Sequence, residues 1–179
     1  MRIGITVNGV LRDTLHKIIK VYNLYNETDL KVDDIETTNL LEHLDFETEE
    51  EFFDWLYVEC PMEIFGNSPS TSDNVFNELN KFYKDFRDEH KITIYSEEIE
   101  KSKAATLFFL AKYGCLVDNI SFFGLKSIYT DLWDDVDLLI TSDITLLETK
   151  PKDKTTYNKM LSLSDSILSN ELPFYDITD

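Results

Sequence analysis

Short apolar runs rich in β-branched residues alternate with longer segments of helical periodicity along most of the chain. Five such runs predict strands, at residues 2–7, 91–96, 119–124 and 137–141 and near residue 155. Apolar positions three and four residues apart predict helices at 13–25, 47–59, 75–86 and 97–113. Strands that alternate with helices indicate parallel β-α-β units. The pattern therefore predicts an α/β fold, a three-layer sandwich with a parallel Rossmann-like sheet between helices.

Cap and turn residues give the expected limits of these elements. Ser72 or Asp73 is expected to cap the helix at 75–86. Ser96 is expected to be the N-cap of the next helix, with Glu98 in its first turn. Residues 60–74 contain two prolines and a glycine, which predicts a loop.

Two apolar groups lie in the predicted helices, and the second has more than one interpretation. The run 107–110, Leu-Phe-Phe-Leu, predicts a helix that is buried nearly all round. An aromatic group in the acidic segment 47–59 could pack in the core, form a protein interface or, in an active enzyme, line a nucleobase pocket. Its members are Phe52, Phe53, Trp55 and Tyr57.

The strand order along the chain predicts where ligands would bind. Residues 1–13 and 71–160 are expected to form the α/β core, residues 14–70 a helical cap insertion, and residues 161–179 a C-terminal arm. Ligands of parallel α/β folds bind beyond the carboxyl ends of the strands. We therefore expect Thr6, Ser96 and Thr141, which end three of the predicted strands, to converge there.

Charge and composition exclude several classes of function. The 179 residues carry a formal net charge of −18, with no basic cluster in the sequence, so nucleic acid is not an expected partner. Three scattered histidines and two isolated cysteines lack metal-ligand spacing. No signal peptide or membrane-spanning run is expected. The acidity instead indicates solubility, or docking to a partner protein with a basic surface.

The strand ends carry four short motifs. The first strand ends in Thr6-Val7-Asn8-Gly9, and the second ends in Ser96. Lys126 lies in the segment FFGLKS, and the fourth strand ends in Thr141-Ser142, followed by Asp143. In order and spacing these motifs resemble those of the haloacid dehalogenase (HAD) superfamily, within it the 5′(3′)-deoxyribonucleotidase-like members of bacteria and bacteriophages.

The resemblance implies a catalytic site that has lost its acids. The family's first motif is DxDG, in which one aspartate attacks phosphorus and the other acts as acid and base. Thr6 and Asn8 stand at those positions, and Thr141 and Ser142 stand where the fourth motif has paired acids. Mg²⁺ binds through several oxygen ligands that include carboxylates. We therefore expect no catalytic residue and no cofactor.

The resemblance leaves three functional hypotheses. The leading one is an inactive HAD-like component that is phage-encoded and belongs to a virion neck, tail or capsid accessory layer, with other proteins or further copies as partners. It would reside in the virion or the host cytoplasm. The second is an active nucleotidase that uses Asp143 and a displaced Mg²⁺. The third is a non-catalytic nucleotide-binding module in which Ser96 and Lys126 contact the phosphate.

The site residues can also be explained by a structural role alone. Thr6 and Asn8 suit a strand end and a turn. Lys126 suits a solvated loop, and Asp143 suits the N-cap of a helix over the following ITLLE segment.

Overall fold

The computed structural model describes residues 1–35, 39–124 and 130–157 and contains a five-stranded parallel sheet with helices packed against it. The strand order is β3-β2-β1-β4-β5. The strands are β1 (Arg2–Thr6), β2 (Lys91–Glu97), β3 (Asn119–Phe123), β4 (Leu138–Ile140) and β5 (Thr155–Tyr157). All five predicted strands are present, and the predicted α/β class is confirmed.

Strand β1 lies at the centre of the sheet because its residues are apolar on both faces. Ile3 and Ile5 are buried, and Ile3 pairs in register with Ile92 of β2 and Leu138 of β4. Gly4 permits close packing on the second face, where an added Cβ would lie 2.7 Å from Leu139 Cδ1.

The helices match the predicted ones most closely where the apolar periodicity is regular. The α-helices are α1 (Thr14–Asn26), α2 (Glu49–Asp54), α3 (Val75–Phe86), α4 (Lys101–Lys112), α5 (Thr130–Asp135) and α6 (Ile144–Glu148). Two short 3₁₀ turns lie at Val32–Asp34 and Leu40–Glu42.

The segment between α2 and α3 differs from the prediction. The helix expected over 47–59 is α2 followed by a π-helical turn, Trp55–Glu59. Residues 60–74 are not a loop throughout, because a second π-helical turn occupies Met62–Gly66. Pro61 begins this turn instead of preventing it, since proline is tolerated where a helix starts.

The predicted caps of α3 and α4 are wrong. Asn74 precedes α3 and makes no side-chain cap hydrogen bond, so neither Ser72 nor Asp73 is its N-cap. Ser96 lies within β2, and α4 begins only at Lys101. The reason is that β2 continues to Glu97 alongside β3, and the chain then turns at Glu100, whose φ is 44°.

Helix α4 is buried on one side only. Phe109 and Leu110 are in the core, whereas Leu107 and Phe108 are 45% and 46% exposed. The expectation that the whole run 107–110 is core is therefore wrong for its first two residues.

The aromatic residues of the segment 47–59 pack in a core of their own. Phe52, Trp55 and Tyr57 are buried, and Phe53 is half-buried against them. Tyr22 of α1 meets the Trp55 ring edge-on at 6.3 Å. This confirms the core reading of the group. Residues 18–65 supply most of this cluster, but the predicted limits of the cap insertion stay a prediction.

Within the described residues, no helix is both long enough and apolar enough to cross a membrane. The C-terminal arm, residues 161–179, and Lys126 lie outside the described residues.

Candidate functional site

Three neighbouring strands bring the predicted polar residues together at the carboxyl edge of the sheet. Thr6 ends β1, Thr141 follows β4, and Ser96 is the second-last residue of β2. All three side chains are buried. The predicted convergence of Thr6 with Thr141 is direct, because their hydroxyl oxygens lie 3.1 Å apart.

The two threonine hydroxyls are already paired within the protein. Thr6 Oγ1 donates to Thr141 Oγ1 and lies 3.4 Å from the Ile140 carbonyl oxygen. Thr141 Oγ1 also accepts from the backbone N–H of Asp143 at 3.1 Å. None of these partners is a base that could take the Thr6 proton at neutral pH.

Asn8 lies in the turn after β1, where its side-chain oxygen accepts three hydrogen bonds. Arg12 donates from Nη2 at 2.6 Å and from Nε at 3.1 Å, and Thr14 donates from Oγ1 at 2.7 Å. The turn is tight, because Gly9 has a φ of +75° and an added Cβ would clash with Ser142 Oγ. Asn8 therefore anchors Arg12 at the start of α1.

A buried ion pair lies beside Asn8 and forms the centre of the site. Arg12 Nη2 is 3.0 Å from Glu98 Oε1, and both side chains are 0% exposed. The same carboxylate oxygen accepts hydrogen bonds from Ser96 Oγ at 2.8 Å and from Thr106 Oγ1. Within the described residues, the other oxygen of Glu98, Oε2, has no hydrogen-bond partner. The Ser96 hydroxyl, which was the predicted phosphate contact, is therefore hydrogen-bonded to Glu98.

The rest of the Arg12 side chain is enclosed by α4 and the second π-helical turn. Its guanidinium carbon lies 4.7 Å from the Phe65 ring centroid and 5.3 Å from that of Phe109. Nη1 donates to Thr106 Oγ1 at 2.6 Å. Burial lowers the pKa of Arg12, and the Glu98 carboxylate opposes this shift. Arg12 therefore joins the sheet edge to the helices above it.

Asp143 is an N-cap, as its structural reading predicted. Its Oδ1 accepts the backbone N–H groups of Thr145 at 2.8 Å and Leu146 at 3.3 Å, at the start of α6. Ser142 is exposed and lies 3.4 Å from the Asn8 carbonyl oxygen.

The Mg²⁺ that an active HAD enzyme would need does not fit these residues. Thr6 and Thr141 supply neutral hydroxyls that bind each other, and the Asn8 oxygen already accepts three donors. Asp143 Oδ1 is committed to the α6 backbone. In the part of the chain that the structure describes, no three His, Cys, Asp or Glu side chains group as metal ligands.

Sequence reasoning missed Arg12, and it misplaced Glu98 in the first turn of a helix that begins only at Lys101. A weak signal was present in Val10-Leu11-Arg12, since a charged residue there interrupts apolar sequence directly after a buried strand. Arg12 and Glu98 are 86 residues apart, so nothing in the local sequence joins them.

The sequence contains no cluster of basic residues, but the fold brings three lysines together. Lys17 and Lys20 of α1 line one groove together with Lys112 at the end of α4. Burial lowers the pKa of Lys17, the charges of Lys20 and Lys112 act in the same direction, and the Glu63 carboxylate opposes them. The helices bring together lysines that are dispersed in the sequence.

No protein-family model matches the chain, and no curated protein is significantly similar to it.

Proposed function

We propose that this chain is a catalytically inactive HAD-like protein that serves as a structural or interaction component, encoded by a bacteriophage and part of its virion. The observation that carries the proposal is the closed hydrogen-bond network at the carboxyl edge of the sheet. Within the described residues, every side chain that the resemblance places there has a hydrogen-bond partner in the protein, and Thr6, Ser96 and Thr141 are also buried.

The network first argues against phosphoryl transfer. In HAD enzymes a carboxylate at the end of the first strand attacks phosphorus. Among the described residues Thr6 has no general base within hydrogen-bonding distance, and its partners are the Ile140 carbonyl oxygen and the Thr141 hydroxyl. Asn8 has no titratable proton to give a leaving group.

The network also argues against a retained phosphate contact. Ser96 donates to Glu98, so a phosphate at this position would have to displace a buried carboxylate that Arg12 holds at 3.0 Å. A phosphate next to Glu98 would meet like charge in a water-poor environment, which is costly. This favours a scaffold over a nucleotide-binding module.

A phosphatase assay tests the loss of catalysis. Purified protein is incubated with deoxynucleoside monophosphates and Mg²⁺, beside the Ser96→Ala and Thr6→Ala variants. We expect no phosphate release above a protein-free control. Release that requires Mg²⁺ and disappears in both variants would overturn the proposal, whereas release equal in all three proteins identifies a contaminant and leaves the expected result in place.

The interaction role is tested by measuring the mass of the native protein. The chain is 20.9 kDa. We expect sedimentation equilibrium to give a multiple of this mass, or the protein purified from phage particles to be bound to other virion proteins. A monomer at all concentrations that is also absent from purified particles contradicts the proposed role.

A further inference from the structure

The lysine groove, lined by Lys17, Lys20 and Lys112, is a cationic surface on an acidic protein. It has a volume of about 330 Å³, and its lining contains His16 and Tyr113 beside the lysines but no Asp or Glu. The whole chain, by contrast, has 35 Asp and Glu against 17 Lys and Arg. His16 contacts Asp13 at 2.8 Å, but no carboxylate among the described residues forms an ion pair with the three lysines. Three clustered lysines, with Glu63 acting on Lys17 from an adjoining groove as the nearby counter-charge, favour an anionic occupant.

A second, more apolar groove adjoins the first along α1. It measures about 450 Å³ and shares Lys17 and Asn67 with the lysine groove. Leu24 and Tyr25 line it and are 73% and 60% exposed, and Glu63 is its acidic member. A small oxyanion would satisfy the lysines but leave this apolar surface uncovered. The two grooves together suit a polypeptide that carries both acidic and apolar side chains.

We propose that the C-terminal arm, residues 161–179, docks along α1 of its own chain, in the lysine groove and the adjoining apolar groove. The 19 residues of the arm contain no lysine, arginine or histidine. Their acids are Asp165, Glu171, Asp176 and Asp179. Their large apolar residues are Leu161, Leu163, Ile167, Leu168, Leu172, Phe174, Tyr175 and Ile177. The arm therefore complements both grooves in charge and in apolar character.

The length of the tether allows docking within one chain. Strand β5 ends at Tyr157, and 22 residues follow. Only residues 158–160 link β5 to the arm, and they span about 10 Å when extended. Link and arm together span up to about 73 Å, whereas a domain of this size is about 40 Å across, so the far part of the arm can reach α1. A tethered segment has an effective concentration in the millimolar range, which favours the chain's own arm over a free partner. This inference does not depend on the proposed function.

Carbodiimide cross-linking of the full-length protein tests the inference, because the reagent joins only amines and carboxylates that are in contact. We expect mass spectrometry to find Lys17, Lys20 or Lys112 joined to acids of the arm. The yield should be several times that of links from the exposed lysines Lys81, Lys84 and Lys103 to the arm. If the arm docks on its own chain, a mixture of ¹⁴N-labelled and ¹⁵N-labelled protein should give cross-links only between peptides that carry the same label.

Matched variants isolate the groove. Lys17→Gln/Lys20→Gln/Lys112→Gln removes three positive charges, and Lys81→Gln/Lys84→Gln/Lys103→Gln removes the same number elsewhere. We expect only the second variant to keep the arm in contact with α1, read as protection of the α1 surface at Leu24 from hydroxyl-radical labelling. Equal linking of groove and control lysines, links between differently labelled chains, or equal protection in both variants would overturn the inference.

Discussion

Removing the Glu98 carboxylate tests whether the Arg12–Glu98 ion pair stabilises the carboxyl edge of the sheet. In Glu98→Ala, Arg12, Ser96 and Thr106 each lose an acceptor, and the guanidinium keeps its charge at 0% exposure. Removing one member of a buried ion pair costs about 3–5 kcal/mol, because the remaining charge is buried without its partner. We expect a loss of this size in the free energy of unfolding.

The Glu98→Gln variant removes the negative charge of the side chain but keeps its size and shape. Glutamine retains an acceptor at the Oε1 position for all three donors, and its amide nitrogen takes the place of Oε2, which has no partner among the described residues. A hydrogen bond to a charged group contributes about 1 kcal/mol more than one between neutral groups. The Arg12 charge is still left without its counter-charge, and the amide N–H groups have no acceptor among the described residues, but the three donors keep theirs. We therefore expect a loss of about 1–3 kcal/mol, smaller than for alanine.

A double-mutant cycle measures the pair itself. Arg12→Met keeps the contact with the Phe65 and Phe109 rings and removes the charge. We expect Arg12→Met/Glu98→Ala to be more stable than the sum of the single changes by about 2–3 kcal/mol, because no buried charge is left unpaired. Urea unfolding with an unchanged m-value is the assay.

Thermal unfolding of the same variants gives a second measurement of stability. For a domain of this size, 1 kcal/mol shifts Tm by about 2–4 °C, so Glu98→Ala is expected to lower Tm by about 6–20 °C. A loss below about 1 kcal/mol for Glu98→Ala, or single changes that add without coupling, would refute the reasoning. Either result would mean that water or a rotated Arg12 replaces the carboxylate at little cost.

Three further predictions use the same measurements. As a single change, Asn8→Asp is expected to lower the free energy of unfolding by about 1 kcal/mol, because it places a second carboxylate beside Arg12. Combined with Glu98→Gln, which removes the first carboxylate, it is expected to leave this free energy unchanged or to raise it. Urea unfolding measures both. The hydrogen bonds from Arg2 lower the pKa of Asp137 from 3.8 to about 2, so the stability from this carboxylate is present above pH 3.8 and is lost as the pH falls towards 2. Asp137→Asn should flatten the fall of the urea midpoint over that range. Gly4→Ala should cost about 1–3 kcal/mol, because its methyl group would lie 2.7 and 2.8 Å from side-chain carbons of Leu139 and Val136.

The sheet could be predicted from the sequence because its strands are short, β-branched and apolar on both faces. A run such as residues 91–96 has few alternatives to a buried strand. Its end was harder to place, because Ser96 followed by two glutamates has the composition of a helix start. The structure continues β2 to Glu97 because β3 offers it backbone partners, which a local pattern does not reveal.

The position of the site could also be predicted, but its contents could not. The rule that parallel strands bring their carboxyl ends together placed Thr6 beside Thr141 correctly. Arg12 and Glu98 were not foreseen as a pair, because lone charged residues near strand ends are usually solvated. Their contact depends on the register between β1 and β2, in which Thr6 lies opposite Tyr95.

The buried ion pair also gives a physical reason for an amide at position 8. Arg12 carries one positive charge and already faces one carboxylate, so the pair is neutral as a unit. An aspartate at position 8 would keep the hydrogen bonds that Arg12 and Thr14 donate, but it would leave two carboxylates around one guanidinium. Excess charge in a poorly solvated position is unfavourable, whereas the neutral Asn8 oxygen accepts the same donors without it. The presence of Glu98 and the absence of an acid at position 8 are therefore linked by charge balance.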